Sequence, residues 1–378
     1  MMRSLLAIIL LATCTTRTLA QQKADLKRYR VAELSNHAAD LIDREQFAEA
    51  EHVLAQALEI DPDDLTSLYD LVCAIAGEGD APRALAMLHR ANRAGFSDFI
   101  RVANNPILAN LRELPGYKRA FEPSDAAIHI AAKFQVKQLK SLLGDEYSVT
   151  ADEPNRLIYA VRERSTQLAD VQRTTRSLMA SECSTLFQNR PQQFIRIIVA
   201  SQVDYARLES RPGVRGLYDD ATRTLLVRPG DAELRHEFTH ALHAADQHAR
   251  GQKHPVWLIE GFGVAFENGA APTDNWRLAN VQAASKSNSQ IPLAALTAQS
   301  RAEFSQRSDL AYGEAGSLIV YLQDRGLLER FYKMFVADFP NDPTGRHALE
   351  ASTSMSLAEI ESDWRDWMTH RTAPHVTR

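Results

Sequence analysis

The stretch His236-Glu237-Phe238-Thr239-His240, set in DAELRHEFTHALHAAD, constrains the chain more than any other part of it. On an α-helix two histidines four apart lie about 40° apart in projection, so their imidazoles can reach one metal ion. The glutamate between them is then placed as a base for a water at that ion. Leu234, Phe238, Ala241, Leu242 and Ala245 recur at helical spacing on the other side, so one helix can pack and bind metal at once. Pro229-Gly230 breaks the chain ahead of it, and Asp231 is a fair N-cap with Glu233 in the first turn.

A third candidate ligand lies in the segment HPVWLIEGFGVAFE. Its spacing predicts a second helix from near Pro255, with Leu258, Phe262, Ala265 and Phe266 toward the core and Glu260 within it, twenty residues beyond His240. A catalytic zinc takes three protein ligands and keeps one position open, and His236, His240 and Glu260 supply that number and chemistry. Gly261 and Gly263 lower helix propensity but remove bulk beside the carboxylate, which lets two helices approach closely.

Asp246 competes for the third place, because it stands where the pattern HExxHxxGxxH/D has its last ligand. That pattern turns the chain at a glycine, and the position here is His243. If the helix continues, Asp246 faces about 80° away from His236. His243, His248 and His254 crowd the region and receive no ligand role. EGFGVAF contains GxG, but inside a helix after a metal motif, the wrong context for nucleotide phosphates.

HExxH followed by WLxEG resembles the gluzincin metallopeptidases. These include thermolysin-like and aminopeptidase N-like enzymes and, closest in pattern, the bacterial envelope proteins grouped as the peptidase MA family. The resemblance implies one zinc ion held by His236, His240 and Glu260, Glu237 as general base, and a peptide or protein substrate. Related enzymes place a tyrosine downstream of the glutamate helix, where it stabilises the oxyanion of the reaction. Tyr312 holds that place here, 52 residues beyond Glu260, and a packing role for it stays open. In the family an edge strand over the cleft pairs with substrate backbone, and Val214 to Tyr218 is that strand by position. The GxMEN-like motif with which aminopeptidases of this clan hold a substrate amine is not found, which leans toward cleavage within a chain.

The rest of the sequence frames this centre. At 378 residues it is long enough for two domains, and 45% hydrophobic with 24% charged residues is the balance of a globular chain. Met1 to Ala20 carries Arg3, the apolar run Leu5 to Ala12 and the small-residue end Thr18-Leu19-Ala20, the pattern of a secretory signal. The alternative is lipid on Cys14, although Thr13 departs from the small residue usual before a lipidated cysteine. Either reading sends the protein out of the cytoplasm, to the periplasm or beyond. The net charge of -5, or -7 once Arg3 and Arg17 leave with the signal, and the lack of a basic run argue against nucleic acid. No later stretch is apolar enough for a membrane span. Cys73 and Cys183 would remain, read as free thiols, and without a CxxC there is no thiolate metal site.

From about Lys23 to Phe121 the pattern is helical. At an offset of 34 residues Ala50, Leu54 and Ala57 meet Ala84, Leu88 and Ala91, the small-large-small helix contact of tetratricopeptide repeats. Pro62 closes the first repeat, Phe96 stands at the matching place in the second, and NNPILANLRELPGYKRAFE is an abbreviated third. Such repeats either bind a protein partner or buttress the neighbouring domain, and both readings stand. A helix is expected from Ser124 to Leu143. Strands follow at Glu146 to Thr150 and Arg156 to Val161, a helix capped by Ser165 and reaching Phe187, and strands at Gln193 to Ala200 and Thr222 to Arg228. Asp309 to Gly316 leads into an apolar helix over Ser317 to Leu322, and Ser356 to His370 closes the chain with Trp364 and Trp367 as packing anchors.

The expectation is therefore an α+β protein: a signal peptide over 1–20, tetratricopeptide-like helical repeats over 21–143, and a gluzincin-like catalytic domain over 144–378. That domain would hold a small mixed sheet, the active-site helices and a helical C-terminal part. The competing class is a non-catalytic envelope scaffold whose repeats recruit a partner.

Overall fold

A computed structural model describes residues 27, 29–96, 99–117, 125–162, 167–209, 214–220, 222–267, 275–287 and 289–370. The expected signal peptide, Cys14, the Ser165 cap and the loop over 268–274 lie outside them. The protein is α+β, and it divides into two compact units between Lys137 and Gln138. The division falls inside a helix, six residues before the boundary expected at 143, so the end of that helix belongs with the sheet.

The first unit is built from α1 (29–43), α2 (Phe47–Ile60), α3 (Leu65–Gly77) and α4 (Ala81–Ala94). Their ends repeat at the 34-residue offset: α1 and α3 stop at 43 and 77, and α2 and α4 start at 47 and 81. Local chemistry sets these limits. Asp64 caps α3 by accepting from the Ser67 amide, Asp80 caps α4 by accepting from the Arg83 amide, and Gly95 closes α4 in the left-handed conformation. Ala50, Leu54, Ala57, Ala84, Leu88 and Ala91 are wholly buried. Phe96, at the place of the first repeat's proline, stacks on Tyr69 with ring centres 5.1 Å apart. The third segment is a 3-10 turn over Pro106–Leu108 and one helical turn over Ala109–Arg112. Helix α5 (Asp125–Leu143) then crosses the division, and Gly144 ends it with φ +83°.

The second unit centres on a five-stranded sheet of β1 (Ser148–Asp152), β2 (Leu157–Val161), β3 (Ile195–Val199), β4 (Gly216–Asp219) and β5 (Thr224–Val227), in the order β1-β2-β3-β5-β4. β2, β3 and β5 are parallel, and β1 and β4 flank them antiparallel. Leu157, Tyr159, Val161, Ile195, Ile197, Val199, Leu225 and Val227 share the core with α6 (Leu168–Thr185) and α8 (Asp231–Arg250). The alternate residues Ile158, Ala160, Ile198 and Leu226 are buried as well, which is the pattern of parallel strands covered on both sides. A short helix α7 (Gln202–Leu208), not anticipated from the sequence, follows β3, and Ser201 caps it.

The remaining helices are α9 (Val256–Phe266), α10 (Asn275–Lys286), α11 (Arg301–Gln306), α12 (Ser308–Asp324), α13 (Leu328–Asp338), α14 (Arg346–Thr353) and α15 (Leu357–His370), with a single helical turn over Leu293–Leu296 between α10 and α11. Helix α9 was expected to show one apolar side, yet it is buried nearly all round, as a helix apolar on every side must be. Its closest neighbour is α12. A side chain at Gly261 would stand 2.9 Å from Ile319 Cγ1 and 3.0 Å from the Ala315 carbonyl oxygen, and one at Gly316 would stand 2.7 Å from Val264 Cβ. The two backbones meet across these glycines. Helix α12 also starts nine residues before the expected Ser317, so Tyr312 is helical and lies one turn before Gly316.

Helix α15 is tied in by Arg365. It donates to Glu314 on α12 at 2.9 Å and to the Ile291 carbonyl at 2.7 Å, beside the wholly buried Trp364. Cys73 and Cys183 are free. No helix among the described residues is long and apolar enough to cross a membrane.

The α9–α12 contact predicts that Gly316→Ala forces the helices apart and lowers stability by roughly 1–3 kcal/mol. Urea unfolding followed by circular dichroism checks this, and an unshifted midpoint would contradict the packing described.

Candidate metal centre

The candidate centre joins α8 to α9. Helix α8 begins one residue earlier than expected, with Gly230 as N-cap and Asp231 as its first residue, and runs without interruption to Gly251. It therefore presents His236 and His240 on one side. Glu260 comes from the middle of α9. Its Oε2 lies 3.3 Å from His240 Nε2 and 3.8 Å from His236 Nε2. Nitrogens and oxygens bound about 2.1 Å from a tetrahedral ion sit about 3.4 Å apart, so this spacing suits one. The three ligand atoms all lie within 4.8 Å of one another, and this buried group could hold a metal ion.

Gly263 supplies the test of fit. A side chain there would stand 2.8 Å from His236 Nε2 and 2.8 Å from His240 Cε1. As expected, the glycine lets α8 and α9 approach, by keeping a side chain out of the space between the imidazoles, whereas Gly261 faces α12.

Electrostatics favour a cation at this point. Burial works against charge on His236, but the neighbouring Glu260 carboxylate, the hydrogen bond to Glu267 and the charge of Glu237 outweigh it and push the imidazole up to about 10. Burial likewise disfavours ionised Glu260, and the two imidazoles reverse this and hold it well below the usual carboxylate range. Cation uptake at this cluster would be coupled to proton release.

Glu267 is the residue that reading of the sequence missed. It lies two turns beyond Glu260, at the end of α9, and is 6% exposed. Its Oε2 is 3.2 Å from His236 Nδ1, which orients the ring and leaves Nε2 free to point at Glu260. Seven residues bring a helix back to within about 20° of the same face, and that spacing was the available signal. His240 has no such support: its Nδ1 is buried without a hydrogen-bond partner among the described residues.

Glu237 and Tyr312 converge on the same place. A side chain at Gly216 would stand 2.9 Å from Glu237 Cγ and 3.2 Å from its Oε1, so β4 passes directly over this glutamate. Among the described residues β4 is the end strand of the sheet and pairs only with β5, although it spans Gly216–Asp219 and not the expected Val214 to Tyr218. Burial pushes the Tyr312 hydroxyl above its ordinary value, and Glu260, which accepts its hydrogen bond, and Glu237 add to this, with Arg301 opposing. Tyr312 is thus a protonated donor facing the ligand group. Arg301 donates to Glu260 Oε1 at 3.3 Å.

Asp246 is no part of the group. It is wholly buried, because the unbroken helix carries it away from His236, and its oxygens are fully engaged. Oδ1 accepts from the Asn189 amide at 2.9 Å and side chain at 2.8 Å, while Oδ2 accepts from Arg250 and from the Tyr332 hydroxyl, both at 2.8 Å. Burial opposes its ionisation, but these bonds prevail and hold the carboxyl below its ordinary range.

Thr239 and His243 on α8 look inward. Thr239 donates to the buried Glu182 at 2.9 Å. His243 meets His254 at 2.7 Å, and burial pushes both imidazoles down, His254 to about 4. His248 lies on the surface against Asp220 at 2.9 Å. None of these histidines joins the ligand group.

Compared with models of known protein families and with curated protein sequences, the chain matches none.

Two outcomes are expected. Glu267→Gln keeps the fold but weakens metal affinity about 10- to 100-fold, read by competition with a chelating dye; unchanged affinity would deny it the orienting role. Asp246→Asn costs about 3 kcal/mol near neutral pH. Because the folded carboxyl is held low, the wild-type advantage is complete above about pH 4 and fades as pH falls through the folded value. Parallel stability curves at every pH would contradict this.

Proposed function

We propose that the chain is an exported, zinc-dependent metallopeptidase of the gluzincin type, acting in the periplasm or outside the cell. The observation that carries this reading is the convergence of His236, His240 and Glu260 with Glu237 and Tyr312 beneath an end strand of the sheet. Two imidazoles and a carboxylate are the donor set that zinc takes in peptide hydrolysis. Zinc held there supplies a lowered pKa for water and a polarised substrate carbonyl.

The residues of the chain do the rest. Substrate backbone pairs with the outer edge of β4, which lays the bond to be cut across Glu237. Glu237 takes a proton from the attacking water and returns it to the leaving amine. Tyr312, protonated and already aimed at Glu260, donates to the oxygen that gains negative charge. Glu267 holds His236 in the tautomer that presents Nε2.

Glu237→Gln should lower peptide turnover by about 10²-fold or more while zinc content stays that of the wild type. Peptide turnover by the zinc-loaded variant at the wild-type rate would remove Glu237 from the mechanism. Zinc loading without any peptide turnover by the wild-type protein would favour the scaffold reading.

A further inference from the structure

Glu260 turns its two oxygens to different partners. Oε2 faces both imidazoles, while Oε1 accepts from Nη1 of Arg301 at 3.3 Å. Bracing of Glu260 is a poor account of Arg301, because its side chain is 67% exposed and a single long contact at such a site contributes little. Its place is nevertheless firmly set. Phe304, one turn further along α11 and on the same side, is 1% exposed and meets the Tyr312 ring at 5.2 Å. Glu303, the nearest acid in sequence, is committed to the helix cap through Ser300. Arg301 makes no ion pair other than that with Glu260 among the described residues.

A peptide lying across Glu237 and Tyr312 would cover this guanidinium. Covering a charge that has one weak partner is unfavourable unless the covering group brings an opposite charge. The planar fork of N–H donors fits a carboxylate with two parallel hydrogen bonds. A group 3.3 Å from the free oxygen of a ligand carboxylate lies within about 8 Å of the ion that carboxylate would hold. An extended chain covers that distance in about two residues.

We propose that Arg301 is a substrate-binding residue that selects peptides bearing a carboxylate one or two residues from the bond to be cut. The carboxylate is the C-terminus or an Asp or Glu side chain. The proposal rests on the metallopeptidase reading and deepens it.

The test uses the zinc-loaded full chain carrying Glu237→Gln, which binds peptides without consuming them. Fluorescence anisotropy would follow three short labelled peptides that differ only near one end: a free acid, its C-terminal amide, and the amide with a Glu beside the terminus. At least one carboxylate peptide should bind tenfold or more tighter than the plain amide. Adding Arg301→Gln should abolish that preference with zinc content unchanged. Preference for the free acid identifies the C-terminus as the source, and preference for the Glu-bearing amide identifies a side chain. Equal binding of all three, or a preference that survives Arg301→Gln, would overturn the proposal and leave the peptidase reading intact. Loss of zinc in the Arg301→Gln variant would make Arg301 a brace for Glu260 and overturn it too. No binding of any peptide, together with no hydrolysis by the wild-type chain, would instead be the failure of the peptidase reading.

Discussion

A carboxylate in the middle of a buried helix is the constraint on which the second unit depends. Between Val256 and Phe266 the only charged residue is Glu260, and it is 5% exposed. An ion taken from water into such a place costs several kcal/mol unless it is paired. His236 and His240 on α8, with Tyr312, provide the pairing. A charge that expensive dictates the surroundings: α8 must present both imidazoles to α9, and α12 must bring its tyrosine alongside.

Three glycines make those approaches feasible. Gly261 and Gly316 let α9 and α12 touch backbone to backbone, which sets Tyr312 at Glu260, while Gly263 keeps the space between the imidazoles clear. Gly216 lets β4 lie on Glu237 in the same way. The sheet matters because it fixes β4 at the end of a row whose inner strands are buried on both faces. The candidate ligand group is thus held where sheet and helices meet.

Much of this was legible in the sequence because it rests on local spacing. Histidines four apart and a glutamate in a second apolar helix identify a candidate ligand group without knowledge of the fold, and the 34-residue offset picked out the buried residues of α2 and α4. Hydrophobic alternation likewise located the strands, with errors of one or two residues at their ends. What remained hidden depends on contacts between elements. Glu267 could be recognised only once α9 was known to reach it and His236 to turn toward it. The residues that engage Asp246, Asn189 and Tyr332, lie 57 and 86 residues away in sequence. Arg301 reaches Glu260 across 41 residues, and nothing local in its own segment points there.

The central claim is that His236, His240 and Glu260 bind one zinc ion. Its most direct test is zinc per chain in the purified protein after dialysis against a mild chelator, wild type beside Glu260→Ala. The account predicts one zinc per wild-type chain and markedly less in the variant. No zinc in either, or equal zinc in both, would contradict it.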